Sequence, residues 1–552
     1  MSNKFRANLK KISLAMILIF IASLALASAP RFSRVVEEIG KGSSSALLTR
    51  MIFSTLKKLP GWMKTKSKAR KIANKLPSFP ETVPSPTNER IFSWIKDLAS
   101  FPHRRPGSPE DLKAEEYLIS QLKKLGIKNI TKEEIPIKYW QAEKWSLEVE
   151  TDSGFKPFPC FYVPYTGFTP EQGITAEMVY VGVGRAKDFA RKKVKGKIVV
   201  AEVPFPSLPY GLMLRLLPVY YFSDPEKSVG LGFKEPLIFV RRNFLGYFTE
   251  ENHPKDDVYW QAVERGAVGI LLILKDQPTN SNTHYGPYDG ILKPLPGFWI
   301  GKYDGEKLKE LAKKGRKAKI ILRGKIQNSV SHNIYGILPG KSERMIIIHS
   351  HHDSPFKGAV EDGAGCAQVL AQAWSWSKLP KEKRPKTLLF LFTTGHFYGS
   401  IGSDTFAQKH KNDLLKKADV ILTLEHIGAR EAIEGKDRNY QFTGYLEIGG
   451  IFASPQTYTI ASAVKMLSQH KLPRTSLIPV DFMGPAPPTD ASGFVLEDLS
   501  VPILSWITGP AYLLCAEDTL DKIDRSQLAK FSRAITDLVG TLMMIESEKL
   551  KL

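Results

Sequence analysis

Hydrophobic residues form their longest run near the start of the chain, where no charged residue occurs between Ile12 and Ala29. Four cations lie within the eleven residues before this run. Eighteen helical residues span about 27 Å, close to the thickness of the hydrocarbon core of a membrane. We therefore expect residues 1–30 to act as a signal anchor or a signal peptide. The main body would then be membrane-anchored and extracytoplasmic, or secreted if residues 1–29 are cleaved.

Residues 31–86 are predicted to form a basic amphipathic juxtamembrane segment and a Pro-rich linker. Apolar residues recur at helical spacing between residues 47 and 59, with cations on the other side of the turn. Such a helix can lie on a membrane surface or pack on the main body, and the pattern does not distinguish the two. Four prolines between residues 77 and 86 indicate the extended linker.

The rest of the chain divides by its pattern into three parts. Residues 87–145 open the folded body with two amphipathic helical patterns, and residues 146–328 change to short strands and turns. Within this part, residues 205–255 are rich in Pro, Tyr, Phe and Leu without a clear period, which suits a cleft lid or a contact surface. In residues 329–552, buried strand patterns alternate with helical ones, which predicts an α/β sheet covered by helices.

Much of the net positive charge lies near the N-terminus, and the composition does not change this division into parts. The chain has 552 residues and a formal net charge of +22, and residues 1–85 alone hold 16 Lys and Arg against 3 Asp and Glu. A basic segment beside an apolar run favours anionic lipid headgroups, and no recognition motif supports nucleic-acid binding. The three cysteines form no CxxC pair, so a thiolate zinc site is not expected.

Metal-binding residue types follow the ends of three predicted strands. His351 and Asp353 come after the first, His396 after the second and Glu425 after the third, while Glu361 begins the helix after the first. Ligands of open α/β sheets gather beyond the carboxyl ends of the strands. Zinc takes three or four nitrogen, oxygen or sulfur donors. Each residue alone is more often a solvated polar group, but the ordered set indicates a metal site. Motifs of serine esterases, zincins and nucleotide-binding proteins do not occur.

The order and spacing of these motifs resemble the zinc aminopeptidase family of two-zinc exopeptidases, whose relatives include glutamate carboxypeptidase, the transferrin receptor and nicastrin. The resemblance runs from about residue 87 to 545. It rests on Ser-His-His-Asp-Ser at 350–354, Gly-Ala-Val-Glu-Asp-Gly-Ala-Gly at 358–365 and Arg-Arg-Pro-Gly-Ser-Pro at 104–109. It implies a helix-covered mixed β-sheet of the zinc exopeptidase type, with residues 146–328 as an inserted, mainly-β protease-associated domain.

Carried over by position, the resemblance implies a metal site that is only half retained. The first metal keeps its donors, and a histidine stands where the family has its catalytic glutamate. Both ligands private to the second metal are replaced by apolar residues. The retained donors are His351, Glu361 (with Asp362 as the alternative) and Glu425, with Asp353 orienting His351; the base position holds His396; the replaced ligand positions hold Phe397 and Leu514.

Two functions are compatible with this half-retained site. We favour a non-catalytic relative that binds a peptide or protein partner, because the usual base and both ligands of the second metal are lost together. The alternative is a single-metal hydrolase of peptide or amide bonds. In that case His351, Glu361 and Glu425 hold one zinc or other divalent metal, and His396 acts as the base. A two-metal site is not expected. The N-terminal apolar helix and basic segment predict that the protein also associates with a membrane.

Overall fold

The computed structural model describes residues 44–204, 207–211, 214, 219–230, 237–239, 257–482, 486–497 and 500–551. The apolar run at residues 12–29 and most of the segment 205–255 lie outside the described residues. Among the helices of the described part, none is long and apolar enough to cross a membrane. The membrane anchor and the extracytoplasmic location therefore stay predictions.

The chain alternates helices with strands along most of its described length. The helices are α1 Ser44–Ala73, α2 Asn88–Ala99, α3 Pro109–Lys124, α4 Ala186–Phe189, α5 Val258–Glu264, α6 Lys302–Lys313, α7 Gly365–Ser377, α8 Ile401–Lys409, α9 Leu414–Lys417, α10 Thr457–His470, α11 Ser492–Leu496, α12 Leu528–Met543 and α13 Ser547–Leu550. The strands are β1 Asn129–Thr151, β2 Gly154–Phe158, β3 Phe161–Tyr162, β4 Ile174–Tyr180, β5 Ile198–Val203, β6 Ser207–Pro209, β7 Tyr221–Ser223, β8 Leu237–Phe239, β9 Gly269–Leu274, β10 Gly297–Ile300, β11 Lys317–Leu338, β12 Ser342–His351, β13 Lys386–Thr393, β14 Ala418–Leu424, β15 Arg430–Glu434, β16 Tyr440–Leu446, β17 Gly449–Ala453, β18 Thr475–Pro479 and β19 Ile503–Thr508.

One large mixed sheet organises the molecule. Its strand order is β3-β10-β9-β5-β4-β11-β13-β12-β14-β19-β17-β18-β7, and β1 pairs along β11. At its centre β12, β13, β14 and β19 are parallel. Every residue of β13 and β14 is buried, as is β12 from Met345 onward. Continuous buried strands are typical of a parallel sheet covered on both faces. The predicted α/β sheet is confirmed, and its parallel strands end at one common edge.

Residues 146–328 continue this sheet through the long antiparallel pairing of β1 with β11. Strands β4, β5, β9 and β10 are parallel neighbours, and helices α4 and α5 lie in the connections between them. In its described part this segment holds more strand than helix, with three helices among its strands. Parallel strands need crossover connections, here partly helical, rather than hairpins. Its assignment as a protease-associated domain stays a prediction.

Helix α1 packs on the main body over the part whose side chains are described. Trp62 and Ala69 are buried in the core, and Lys58 Nζ lies 2.6 Å from a carboxylate oxygen of Asp481. The amphipathic pattern of this segment therefore corresponds, from residue 58 onward, to packing on the body, one of the two interpretations that the sequence left open.

Candidate metal centre

The carboxyl edge of the central sheet carries a group of buried ionisable side chains. His351 ends β12, His396 follows β13, and His426 comes two residues after the end of β14. Glu361 reaches the same place from the turn before α7. These side chains are buried, and only that of His396 is partly accessible, at 13%. We call these four residues the Glu361 cluster.

The rings of His351 and His426 are held by backbone carbonyl oxygens. His351 Nδ1 lies 3.2 Å from the carbonyl oxygen of Asp353, and His426 Nδ1 lies 2.6 Å from that of Thr508. A carbonyl oxygen only accepts hydrogen bonds, so each Nδ1 carries the proton and donates. In the neutral form each Nε2 then presents a bare lone pair, which is the state in which histidine binds a metal.

The ring of His396 is held by a carboxylate that the sequence analysis did not identify. Its Nδ1 lies 3.4 Å from Oδ1 of the fully buried Asp490, so its Nε2 is likewise directed away from the anchoring group. Asp353 also contributes here, because its carboxylate accepts hydrogen bonds from the backbone N–H groups of His396 at 3.3 Å and Phe397 at 2.8 Å. The predicted orienting residue thus supports two members of the site.

The three Nε2 atoms converge on one carboxylate. They lie 3.2 Å (His351), 2.9 Å (His426) and 4.0 Å (His396) from the oxygens of Glu361. The Nε2 atoms of His351 and His426 and Oε1 of Glu361 are buried, yet none has an aligned hydrogen bond. Buried polar atoms are normally hydrogen-bonded. Two imidazole nitrogens and a carboxylate at these distances form a donor set suited to a divalent cation once the imidazoles are neutral.

Two further carboxylates shape the turn that presents Glu361. Asp518 accepts hydrogen bonds from the backbone N–H groups of Val360 and Glu361, both at 2.9 Å. Asp362 accepts from the N–H of His426 at 2.9 Å and also from the Ser350 hydroxyl. Because both oxygens of Asp362 already accept hydrogen bonds, Glu361 is the better placed of the two metal donors that the sequence offered.

Glu425 lies at the edge of this group. Its Oε1 accepts a hydrogen bond from the N–H of Asp490 at 2.8 Å, and it offers a ligand atom within 4.8 Å of those of His351 and His426. Burial raises the pKa of Glu425 to about 7, although neighbouring imidazoles oppose this. Glu425 is thus near enough to assist a metal, and it also fixes the loop that carries Asp490.

Electrostatics couple the members of the Glu361 cluster. Burial alone lowers the pKa of His426, but the Glu361 carboxylate outweighs it and raises that pKa to about 10. Burial alone raises the pKa of Glu361, but His426 and His351 outweigh it and hold the value well below the usual range. In the absence of a cation, protons on the imidazoles therefore balance the charge of Glu361. A divalent cation supplies the same compensation.

The two replaced ligand positions hold buried apolar side chains, and that of Phe397 lies beside the cluster. Phe397 is fully buried, with its ring centre 5.1 Å from that of His396 and 5.8 Å from that of Tyr285. The carbonyl oxygen of Leu514 accepts a hydrogen bond from the N–H of Tyr285 at 2.9 Å. Neither side chain can bind a metal. Tyr288 stacks on His396 with ring centres 5.3 Å apart, so aromatic rings limit water access to this imidazole.

A second group with metal-type side chains lies next to the first. Asp111, Glu115 and His352 offer ligand atoms within 4.8 Å of one another. Both oxygens of Glu115 already accept hydrogen bonds. The donors are His332 Nδ1 at 2.8 Å, the backbone N–H of His332 at 2.9 Å and Lys132 Nζ at 3.0 Å. We call these five residues the Glu115 cluster. Donors within the protein already surround its central carboxylate.

Sequence reasoning identified His351, Glu361, Glu425 and His396 but missed two functional candidates. His426 was not among the predicted ligands, although its place directly after Glu425 at a strand end was a usable signal. Its φ of 57° is a left-handed conformation, which costs a non-glycine residue roughly 1–2 kcal/mol. Asp490 had no local signal, because only the fold brings its loop to the sheet edge.

Comparisons with known proteins agree with this geometry. Residues 333–539 match the family model of Peptidase family M28. The chain is 24% identical over 350 residues to carboxypeptidase Q of Xenopus laevis, covering 60% of this chain and 64% of that protein. It is 22% identical over 380 residues to a probable glutamate carboxypeptidase of Zea mays, covering 61% and 50%. The chain thus spans between half and two thirds of the length of these curated relatives.

Solved structures show the same fold. A zinc aminopeptidase from Bacillus subtilis superposes with a TM-score of 0.60 at 18% identity, covering 83% of this chain and 96% of that one. A peptidase M28 precursor from Shewanella amazonensis superposes with a TM-score of 0.60 at 18% identity, covering 88% and 97%. These likenesses extend over the described sheet and its helices and establish the architecture.

Proposed function

We propose that this chain, which belongs to peptidase family M28 through residues 333–539, is a single-metal hydrolase of peptide or amide bonds. One observation carries the proposal: buried imidazoles with anchored Nδ1 atoms direct their Nε2 atoms at Glu361. The relatives named above include carboxypeptidases and an aminopeptidase, which supports peptides as the substrate class. This proposal develops the alternative of the sequence analysis, with His426 added as a ligand.

In this proposal His351, Glu361 and His426 hold the metal, with Glu425 beside them. A bound divalent cation supplies Lewis-acid chemistry to a substrate carbonyl or a water molecule. His396 takes the role of base, because Asp490 fixes its Nδ1 proton and leaves Nε2 free to accept a proton from the attacking water. Phe397 restricts the space around this imidazole, which excludes bulk water from the reaction.

Changing His396 in the full chain tests whether this residue is the general base or a metal ligand. We expect His396→Gln to keep its zinc and to lose at least about 100-fold in kcat, the usual contribution of a general base. His470→Gln is the matched control, because His470 also pairs with a carboxylate, Asp537 at 2.8 Å, but does so near the surface. Zinc content by elemental analysis and hydrolysis of a mixed peptide library are measured together. Loss of zinc in His396→Gln would contradict the assignment of a base.

A second candidate function is peptide binding without hydrolysis, which the sequence analysis favoured. The buried Phe397 in place of a metal ligand supports it. The same experiment distinguishes the two functions. A zinc-loaded wild type that binds library peptides but releases no cleavage product would establish the binding function and exclude the hydrolase.

A further inference from the structure

A buried arginine without an acidic partner lies near the Glu361 cluster. Arg105 is 8% exposed, and among the described residues its guanidinium hydrogen bonds go to tyrosine hydroxyls rather than to a carboxylate. Its Nε has no hydrogen-bond partner. Buried charges are normally paired because their desolvation is costly. An unpaired buried guanidinium therefore needs an explanation.

Tyrosine side chains surround this guanidinium. Its carbon lies 5.6 Å from the ring centre of Tyr139 and 5.8 Å from that of Tyr285. It donates hydrogen bonds to Tyr162 at 3.3 Å and to Tyr139 at 3.4 Å. Burial raises the pKa of Tyr285, so this phenol stays protonated and can donate. We call these four residues the Arg105 pocket. The pocket presents one cation and several hydroxyl donors, and no described carboxylate pairs with the guanidinium.

Tyr285 connects the Arg105 pocket to the Glu361 cluster. The ring centre of Tyr285 lies 5.8 Å from the guanidinium carbon of Arg105 and 5.8 Å from the ring centre of Phe397. Phe397 in turn contacts His396 at 5.1 Å. An extended chain advances roughly 3.5 Å per residue, so a peptide with its scissile bond at the Glu361 cluster reaches the pocket within about five residues.

We propose that the Arg105 pocket is an anion-binding subsite that selects substrates carrying a carboxylate within about five residues of the scissile bond. Planar guanidinium groups bind carboxylates through paired hydrogen bonds. The C-terminal carboxylate of a short peptide is the group that this position fits. A free N-terminal amine does not suit the pocket, because the guanidinium repels an ammonium group. The inference rests on the proposed function, since it names the substrate class of the same site.

Four versions of one tetrapeptide library test this selection with the zinc-loaded full chain. They combine a free or acetylated N-terminus with a C-terminal acid or amide. We expect the acid versions to bind and react at least about tenfold better than the matched amides, as charge-assisted hydrogen bonds contribute. Arg105→Gln should raise KM for the acids, leave kcat within threefold, and leave the amides unchanged. Arg105→Lys should recover part of the preference.

Measurements on the wild type alone test the preference for acids over amides, so this test does not depend on whether a variant folds. Equal binding of acids and amides by the wild type would overturn the inference. Equal losses on both substrates in Arg105→Gln, with zinc retained, would assign Arg105 a structural role and would also overturn it. A preference for free N-termini would place recognition at the other end of the substrate.

Binding and turnover are measured separately, which keeps this inference apart from the proposed function. Calorimetric titration of each library gives affinity whether or not cleavage occurs. Acid-selective binding without turnover would support the Arg105 pocket and contradict the hydrolase. Turnover without acid selectivity would support the hydrolase and contradict the Arg105 pocket.

Discussion

The Glu361 and Glu115 clusters are neighbours that differ in how their carboxylates are compensated. His351 belongs to one and His352 to the other, so adjacent residues at the end of β12 serve two separate groups. In the Glu115 cluster, Lys132, the ring of His332 and the backbone N–H of His332 donate to the central carboxylate. In the Glu361 cluster, Oε1 of the central carboxylate has no aligned donor.

This difference shows that short distances between metal-type side chains do not by themselves identify a metal site. Both clusters satisfy the distance criterion for metal-type ligands. The hydrogen bonds to each carboxylate separate them, because a carboxylate that already accepts from a lysine, a ring N–H and a backbone N–H gains little from a cation. A carboxylate whose Oε1 accepts no aligned hydrogen bond among the described residues gains much. The first arrangement is typical of a structural ion-pair network, and the second of a metal centre.

The largest expected effect comes from removing the charge at the centre of the Glu361 cluster. Glu361→Gln should weaken zinc binding by about 1,000-fold, or roughly 4 kcal/mol, because it neutralises the carboxylate that lies 3.2 Å from Nε2 of His351 and 2.9 Å from Nε2 of His426. Glu115→Gln is the matched control and should leave zinc affinity within threefold. Calorimetric zinc titration of metal-stripped protein measures both. Similar losses in the two variants would remove the distinction between the clusters.

The next effect concerns the stability of the Glu115 cluster. His352→Leu should lower the free energy of unfolding by about 3 kcal/mol, because it leaves Asp111 buried without its imidazole partner at 3.2 Å. Urea unfolding of the metal-free protein measures the change. Zinc affinity should stay as in the wild type. A large loss of zinc binding with little loss of stability would assign His352 to a metal instead.

A smaller effect is expected from the residue that orients the base. Asp490→Asn should lower kcat by about 10- to 100-fold while zinc remains bound, since outer carboxylates that fix an imidazole contribute on that scale. Asp111→Asn, the equivalent change in the Glu115 cluster, should alter stability but leave kcat within threefold. Steady-state kinetics with the acid tetrapeptides checks both. Unchanged turnover in Asp490→Asn would contradict the role of His396 as base.

The smallest effect comes from the partly exposed cation of the Glu115 cluster. The Lys132 side chain is 32% exposed, so Lys132→Met should cost at most about 1 kcal/mol of stability. Zinc stoichiometry should stay at one, because the N–H donors and His332 still surround Glu115. A rise to two bound metals would show that Lys132 alone keeps a cation out of that cluster.

Much of the fold followed from the sequence, because long buried strand patterns such as Met345–His349 are governed by local hydrophobicity and their alternation with helices fixes the sheet. His351, Glu361, Glu425 and His396 could be identified since each directly follows a strand or begins a helix. The parallel strand directions within residues 146–328 could not be predicted, because short apolar strands look alike in parallel and antiparallel sheets.

The remaining parts of the site depend on contacts that no local pattern records. Asp490 meets His396 only because separate loops converge at the sheet edge. The ligand role of His426 depends on which of its ring nitrogens is anchored, and that follows from the position of the Thr508 carbonyl group on β19. Arg105 stood within a recognised motif, but that no carboxylate of the described residues pairs with it is visible only in the folded molecule.

The measurement that tests the metal centre most directly is a zinc titration of the metal-stripped full chain, wild type beside His426→Ala. The account predicts one zinc per chain in the wild type and an affinity at least about 100-fold lower in the variant, because one of two anchored imidazole ligands is lost. Two bound zinc ions, none, or an unchanged affinity in His426→Ala would contradict it.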